Sequence, residues 1–344
     1  MNNLDFLAED FNRIGVDKNL AQSLDGKAVF ITGASGFFGR WFFSLLLFLI
    51  KSEGVNCKIY LHLRDKSKVT EKFDIQGNEV ELLEGDIRSL IDLPEDVNYI
   101  LHLAGNPDTR FHTTHPLDTM NLIVDGTSSI LKAASRLSQL ENIVIMSSSQ
   151  VYDTVYSNVK LIEDVSSQSC ISKIDEPYSS AKIYSEALCK AAASEARLPV
   201  CILRPFGFCG AFQSINGPWA FNNFVNDAIS GRAIKILGDG GSVRSLMYGA
   251  DLAIWLLTIL TNPKSGVFNI GSEEGLSMLD MAEKITACFS NKINVIKNAS
   301  LTGVVNNTYL VPDCSKAKKS FDLNYYTNID LSIERSVMWY KNNI

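Results

Sequence analysis

Short apolar runs recur along the first two-thirds of the chain, and several are separated by longer stretches of helical period. The runs are 27–32 (KAVFIT), 57–63 (CKIYLHL), 79–83 (EVELL), 98–103 (NYILHL), 142–147 (NIVIMS) and 199–204 (PVCILR). They are nearly continuous rather than alternating, which is the pattern of strands buried on both faces of a parallel sheet. Residues 38–53, 116–138 and 179–197 predict helices between them. The alternation predicts a doubly wound α/β sheet.

The two ends differ from this pattern. Leu4, Leu7, Phe11 and Ile14 recur at helical spacing, so residues 1–25 read as an N-terminal extension carrying a short amphipathic helix packed on the body. Residues 26–205 form the first domain. After 205 the run FGFCGAFQSINGPW is rich in glycine and aromatics and predicts a loop over a site. Helices at 219–231, 250–261, 277–289 and 329–341 and strands at 233–237 and 266–270 then make a smaller mixed α/β domain, 206–344. Some of its segments are expected to return to the first domain.

Composition narrows the classes. A chain of 344 residues with 46% hydrophobic and 20% charged residues reads as an ordinary globular protein. Its net charge of −6 argues against a nucleic-acid partner. The seven cysteines form no CxxC pair and read as reduced thiols of a cytoplasmic protein. The apolar run Trp41–Ile50 is shorter than the roughly 20 residues a bilayer span needs, so no membrane partner is expected.

Between the first strand and the first helix the chain reads ITGASGFFGR, with Gly33, Gly36 and Gly39 three apart. One glycine can make the turn, one can let bare backbone approach a pyrophosphate, and one can let helix and strand pack closely. The helix-start N–H groups then favour the anion. In this context the trio predicts a dinucleotide site, a Rossmann-type domain. The second strand ends in Arg64-Asp65-Lys66-Ser67-Lys68. Asp65 suits the ribose 2′-hydroxyl of NAD, while Arg64 suits the 2′-phosphate of NADP, so both cofactors stay open.

A second cluster follows. IVIMSSSQVYD (143–153) ends a strand in hydroxyls, and EPYSSAKIYSEAL (176–188) places Tyr178 and Lys182 four apart on one helix face. A lysine ammonium beside a tyrosine favours the phenolate, and a serine could bond the oxygen that gains or loses a proton. Ser148, Tyr178 and Lys182 thus predict acid/base catalysis of alcohol–ketone interconversion beside a hydride acceptor.

With these motifs, the chain resembles the extended short-chain dehydrogenases/reductases, specifically the NAD-dependent epimerase/dehydratase family that modifies nucleotide sugars. The resemblance runs over roughly 26–341 through FITGASGFFG, EGDIRS, HLAG, NLIVDGT, SSSQVYD, YSSAKIYSE, ILRPFGFCG, ILGDGGSVRSLMYGADLA and FNIGSEE. It implies that Ser148, Tyr178 and Lys182 are catalytic. It implies that Gly33, Ser35, Gly36, Phe37, Phe38, Gly39, Arg64, Asp65, Asp86, Ile87, Leu103, Ala104, Gly105 and Asn121 line the cofactor, with Asp86 on the adenine. Arg244 is implied to meet the substrate's phosphates or sugar, with Arg232, Asn222, Ser149 and Gln150 nearby. A homodimer built through the Tyr178 helix is the implied assembly.

The chain departs from the family in two places. Dehydratases of the family carry an acid and a base after the catalytic Ser/Thr, and decarboxylases carry a glutamate at the second position. Here Ser149 and Gln150 stand there. Gln can neither give nor take a proton, so C4 epimerisation or 4-keto reduction fits better than loss of water or carbon dioxide. Asp175, Glu176 and Glu163 are the candidates for a relocated acid or base. The second departure is Phe206-Gly207-Phe208-Cys209-Gly210, where relatives carry Asn-Val-Tyr-Gly-Pro. His112 and His115, three apart, are expected on the surface or near phosphate, with no metal ligand set. A non-catalytic dinucleotide-sensing scaffold is the rival from outside enzymology.

Overall fold

The computed structural model describes residues 3–71, 73, 78–152, 158–164, 176–298 and 307–343. Asp153, Asp175 and Cys170 lie outside the described residues.

Seven parallel strands form one sheet: β1 (Lys27–Thr32), β2 (Cys57–Leu63), β3 (Val80–Glu84), β4 (Tyr99–His102), β5 (Asn142–Met146), β6 (Val200–Pro205) and β7 (Gly266–Ile270). Their order is β7-β6-β5-β4-β1-β2-β3. The order reverses beside β1, which leaves a crevice between the carboxyl ends of β1 and β4. β1, β4 and β5 are almost entirely buried, as continuous apolar runs require.

Helices cover both faces: α1 (Asn3–Ile14), α2 (Phe37–Glu53), α3 (Pro116–Ala134), α4 (Pro177–Glu195), α5 (Gly249–Thr261) and α6 (Ile329–Asn343). α3 is shorter than 116–138. Its C-cap is Ser135, and the chain turns into β5 after it. Thr127 of α3 and Ser185 of α4 share a buried hydrogen bond of 2.8 Å.

Two segments after residue 205 lie with this sheet. β7 pairs in parallel with β6. α5 is tied to β5 by buried Asn142, whose Nδ2 donates to the carbonyls of Ile259 and Leu260. The remaining pieces make small sheets: Phe208–Cys209 with Met247–Tyr248, Ile234–Leu237 with Val295–Asn298, and Val243–Ser245 between Gly275–Ser277 and Tyr309–Leu310.

α1 buries Phe6, Leu7 and Phe11 against the body. Its Asp10, also buried, accepts the Tyr248 hydroxyl at 2.7 Å and lies 3.0 Å from Arg335 Nε of α6. No helix among the described residues is long and apolar enough to cross a membrane. The six described cysteines are free thiols, five of them buried.

Candidate active site

The glycine loop occupies the crevice at the end of β1. Gly33 has a φ of +70°, and a Cβ there would sit 2.8 Å from the carbonyl of Leu103. Gly39 seats α2 on the loop, where a Cβ would lie 2.5 Å from Gly33 O and from Ala34 Cα. Gly36 differs: only Gly33 O, at 3.3 Å, lies near the missing Cβ. Gly36 is also the N-cap of α2 and supplies no side-chain acceptor to the helix's first N–H groups. Open backbone and uncapped donors at a helix start fit the pyrophosphate of a dinucleotide. Ser35 lies in this loop. Phe38 packs edge-on to Phe208 at 4.9 Å, and Phe37 lies 6.3 Å from the same ring.

Thr32 ties this loop to the end of β4. Its Oγ1 accepts the N–H groups of Leu103 (3.2 Å) and Ala104 (3.1 Å) and pairs with His102 Nδ1 (2.9 Å). Burial, helped by the nearby Lys182 charge, pushes His102 down to about 3, so the ring is neutral. Gly105 brings this stretch to the second cluster: a Cβ there would lie 3.7 Å from Lys182 Nζ.

Asp86 caps the single turn Ile87–Ser89, and its carboxylate is held by Arg88 through Nε (3.0 Å) and Nη2 (2.6 Å). That grip, with the Arg88 amide, keeps the carboxyl below its ordinary range. An adenine amino group would therefore share these oxygens with Arg88. Ile87 is buried, and Asn121 is exposed on α3.

β5 delivers the second cluster. Beyond Met146 the chain stays extended through Ser148, which caps the turn Ser149–Val151. Ser148 Oγ accepts the Gln150 N–H at 3.1 Å and lies near enough to the Tyr178 phenol to favour its ionised form. Tyr178 stands in the first turn of α4 and Lys182 in the next, with Nζ 5.8 Å from the phenol ring centroid. Lys182 Nζ donates to Met146 O at 2.6 Å.

Burial dominates the electrostatics of this pair. Burial raises the Tyr178 phenol above its ordinary value, and the opposing pull comes from Ser148 rather than Lys182. Burial also lowers Lys182 to about 8. The ammonium is committed to a backbone carbonyl, so in this arrangement it holds the strand end to the helix.

His112 was expected at the surface or near phosphate. It is buried, and its ring lies flat on Tyr178, with centroids 4.2 Å apart and planes 11° from parallel. Its Nε2 bonds Asn106 O at 2.6 Å, and a carbonyl only accepts, so Nε2 carries the proton. No local signal in the sequence could have found this pairing, because the two residues sit on separate helices.

Behind the site lies a polar network. Glu186, one turn beyond Lys182, pairs with Arg204 of β6 at 2.7 and 2.8 Å and accepts the Ser147 hydroxyl at 2.6 Å. Arg204 also donates to Glu163 O, and Glu163 Oε1 accepts the Asn269 N–H at 2.8 Å. Glu163 is thereby occupied in holding β6 and β7, which does not suit a relocated acid or base. Glu176 is exposed before α4 and accepts from Ser179 at 3.1 Å.

The structure separates the expected substrate residues. Ser149 is buried and Gln150 exposed beside Ser148. Arg244 is half-buried, donating to Thr308 Oγ1 (2.8 Å) and to main-chain carbonyls, with no carboxylate against it among the described residues. Burial weakens the guanidinium's hold on its proton, a cost that an anionic partner would offset. Arg232 is exposed and pairs with Asp227 at 2.9 Å. Asn222 is fully buried and turned inward, its Nδ2 donating to Ser214 O and to the Tyr340 hydroxyl.

A glycine cradle at the first strand–helix junction and a Ser–Tyr–Lys set two strands along the sheet define a dinucleotide-dependent enzyme of the short-chain dehydrogenase class. The comparisons agree. Residues 29–271 match the NAD dependent epimerase/dehydratase family, and the chain belongs to it. It is 22% identical over 277 residues to UDP-glucuronic acid decarboxylase 1 of Danio rerio, which covers 79% of this chain and 63% of that protein. It is 24% identical over 326 residues to UDP-N-acetyl-alpha-D-glucosaminuronate decarboxylase of Bacillus cytotoxicus, covering 92% and 98% of the two chains. Its fold matches UDP-N-acetylglucosamine 4-epimerase of Methanobrevibacter ruminantium, solved with UDP-N-acetylmuramic acid. That match has a TM-score of 0.79 at 20% identity and covers 92% of this chain and 99% of the other.

Proposed function

We propose that the chain oxidises the C4 hydroxyl of a nucleotide-linked hexose to a 4-keto intermediate and returns hydride to the opposite face, a C4 epimerisation. The observation that carries this reading is the convergence of Ser148 at the end of β5 with Tyr178 and Lys182 on α4, where Lys182 Nζ lies 5.8 Å from the Tyr178 ring centroid and bonds Met146 O two residues before Ser148. When bound, the nicotinamide would accept and return the hydride. Tyr178, as the phenolate that the nearby Lys182 ammonium and a bound oxidised nicotinamide would favour, takes the C4 hydroxyl proton and gives it back, and Ser148 orients the sugar oxygen. Arg244 meets the diphosphate.

The curated relatives above are decarboxylases by name. Gln150 stands where that reaction's glutamate is expected, and Glu163 is spent in the β6–β7 network. Both support redox-neutral turnover over loss of carbon dioxide or water. A second reading, reduction of a 4-keto sugar, is favoured by the cations Arg64, Lys66 and Lys68 after β2.

A cytoplasmic homodimer belongs to the same proposal. Free buried thiols support the compartment. Exposed Leu117 and Met120 on α3 and Tyr184 on α4, two helices that pack together, support the dimer. Incubating the protein with a panel of nucleotide sugars and following products by mass spectrometry tests the reaction. An isomeric product without net cofactor consumption is expected. Loss of water or carbon dioxide would overturn the reading. Tyr178→Phe should abolish turnover and leave dinucleotide binding in place.

A further inference from the structure

We infer that the short helix Thr109–Thr114 couples closure of segment 206–219 over the crevice to the placement of Tyr178, with Arg110 as the catch. The inference rests on the reading of the crevice as a nucleotide-sugar site and adds the way that site closes.

α2 follows β1 and the helix Thr109–Thr114 follows β4, so the two stand on opposite sides of the crevice. Segment 206–219 touches both. On the α2 side it is packed. Trp41 Nε1 donates to the Ala211 carbonyl at 3.1 Å, and the Phe212 ring stands edge-on to Trp41 and to Trp339 of α6, with centroids 6.0 and 5.2 Å apart. The next two residues are also held: the Tyr340 hydroxyl donates to Gln213 O and Asn222 Nδ2 to Ser214 O, each at 3.2 Å. The tip beyond them is exposed at Asn216, whose carbonyl accepts Arg110 Nη1 at 3.3 Å. That bond carries the segment across to the far side. A segment packed at one end and held at the other by an exposed hydrogen bond opens at the exposed end.

Arg110 is pre-set for this contact. Asp108, the N-cap of the short helix, grips its guanidinium through Nε (3.0 Å) and Nη2 (2.6 Å), which leaves Nη1 for Asn216. Two residues further along the same helix, His112 lies flat on the Tyr178 ring, and its Nε2 donates to Asn106 O ahead of the helix. A helix of six residues moves as one piece, so a shift at Arg110 reaches the ring stacked on the phenol. Arg110 is thus a positioning residue that acts through His112. Closure of the segment over a bound nucleotide sugar shuts out water and fixes Tyr178 when the sugar is in place.

Hydrogen–deuterium exchange of the full-length protein tests this, with NAD⁺ alone and with NAD⁺ plus the tightest binding of UDP, dTDP, GDP and CDP. The bound nucleoside diphosphate is expected to slow exchange about fivefold or more over 212–219, and with it over 109–114 and 177–182. Arg110→Ala should bind NAD⁺ within about twofold of the parent, yet lose the slowing in all three segments. Arg110→Lys keeps the charge without the planar fork and should behave like Arg110→Ala. Nucleotide binding without slowing over 212–219, slowing there that leaves 177–182 unchanged, or parent behaviour in Arg110→Lys would overturn the inference and leave the nucleotide-sugar reading in place. Failure of all four nucleotides to bind would remove that reading and the inference with it.

Discussion

The imidazole of His112 lies face to face with the phenol of Tyr178, at a centroid separation of 4.2 Å. A ring held on one face by a stack has lost much of its rotational freedom. Stacked aromatic pairs contribute about 1 kcal/mol beyond burial. His112→Ala should therefore lower kcat/KM by roughly fivefold, whereas His112→Phe, which keeps the stack, should stay within about threefold of the parent. Steady-state kinetics of the two variants, alongside melting curves, check this.

The lysine of the catalytic set makes stability depend on pH. Burial holds Lys182 at about 8, below its ordinary 10.5. Between those values the folded chain binds fewer protons than the unfolded chain, so stability rises with pH across the window. Below it both states carry the charge, and the folded one bears the full burial cost. Lys182→Met should therefore gain most, relative to the parent, near about pH 7, and the gain should shrink toward about pH 10. Urea midpoints at the two pH values decide it; a gain that grew with pH would contradict the assignment.

Two of the loop glycines should separate on substitution. Gly39→Ala drives a methyl to 2.5 Å from backbone atoms of the loop, so loss of folding is expected. Gly36→Ala meets only Gly33 O at 3.3 Å, so it should fold and yet bind dinucleotide about tenfold or more weakly, its methyl standing where the pyrophosphate approaches. Circular dichroism and a dinucleotide titration distinguish the two.

Arg244 and Arg232 should differ in the same way. Arg244 has no carboxylate among the described residues, whereas Arg232 is exposed and already paired with Asp227. Arg244→Ala should raise KM for a nucleotide sugar by about tenfold or more with a smaller change in kcat, and Arg232→Ala should stay within about twofold. Comparing the two KM values tests whether Arg244 holds the diphosphate.

Glu186 and Arg204 form a buried ion pair behind the catalytic helix. Removing one partner of such a pair leaves an uncompensated charge, so Glu186→Ala should cost about 3–5 kcal/mol. The double replacement Glu186→Met with Arg204→Met should cost less than the single one. Denaturant unfolding of the three proteins measures both.

Much of the frame was legible before any coordinates. All six early strands, and the helices carrying Gly39, Asn121 and Tyr178, lie where their apolar periods place them, because period is a local property of the chain. The proposed catalytic set of Ser148, Tyr178 and Lys182 could be picked out for a similar reason: each sits at a fixed offset from an element end. The pairings across elements could not. Arg88 on Asp86 carries no periodic signal, nor does Glu163 beneath Asn269 or the inward turn of Asn222.

The linear order of residues thus determined the parallel sheet and the glycine turn at its first strand, and it nominated the proton-handling groups, since each is written within a few neighbouring positions. Which charges remain unpaired had to await the packed chain. Asp65 and Arg64 are adjacent in sequence, yet one is folded into its own turn and the other is left open. Likewise His112 becomes part of the site only when its helix is laid against α4. Contacts between distant segments depend on how sheet and helices close over one another, and that geometry belongs to the whole fold rather than to any stretch of it.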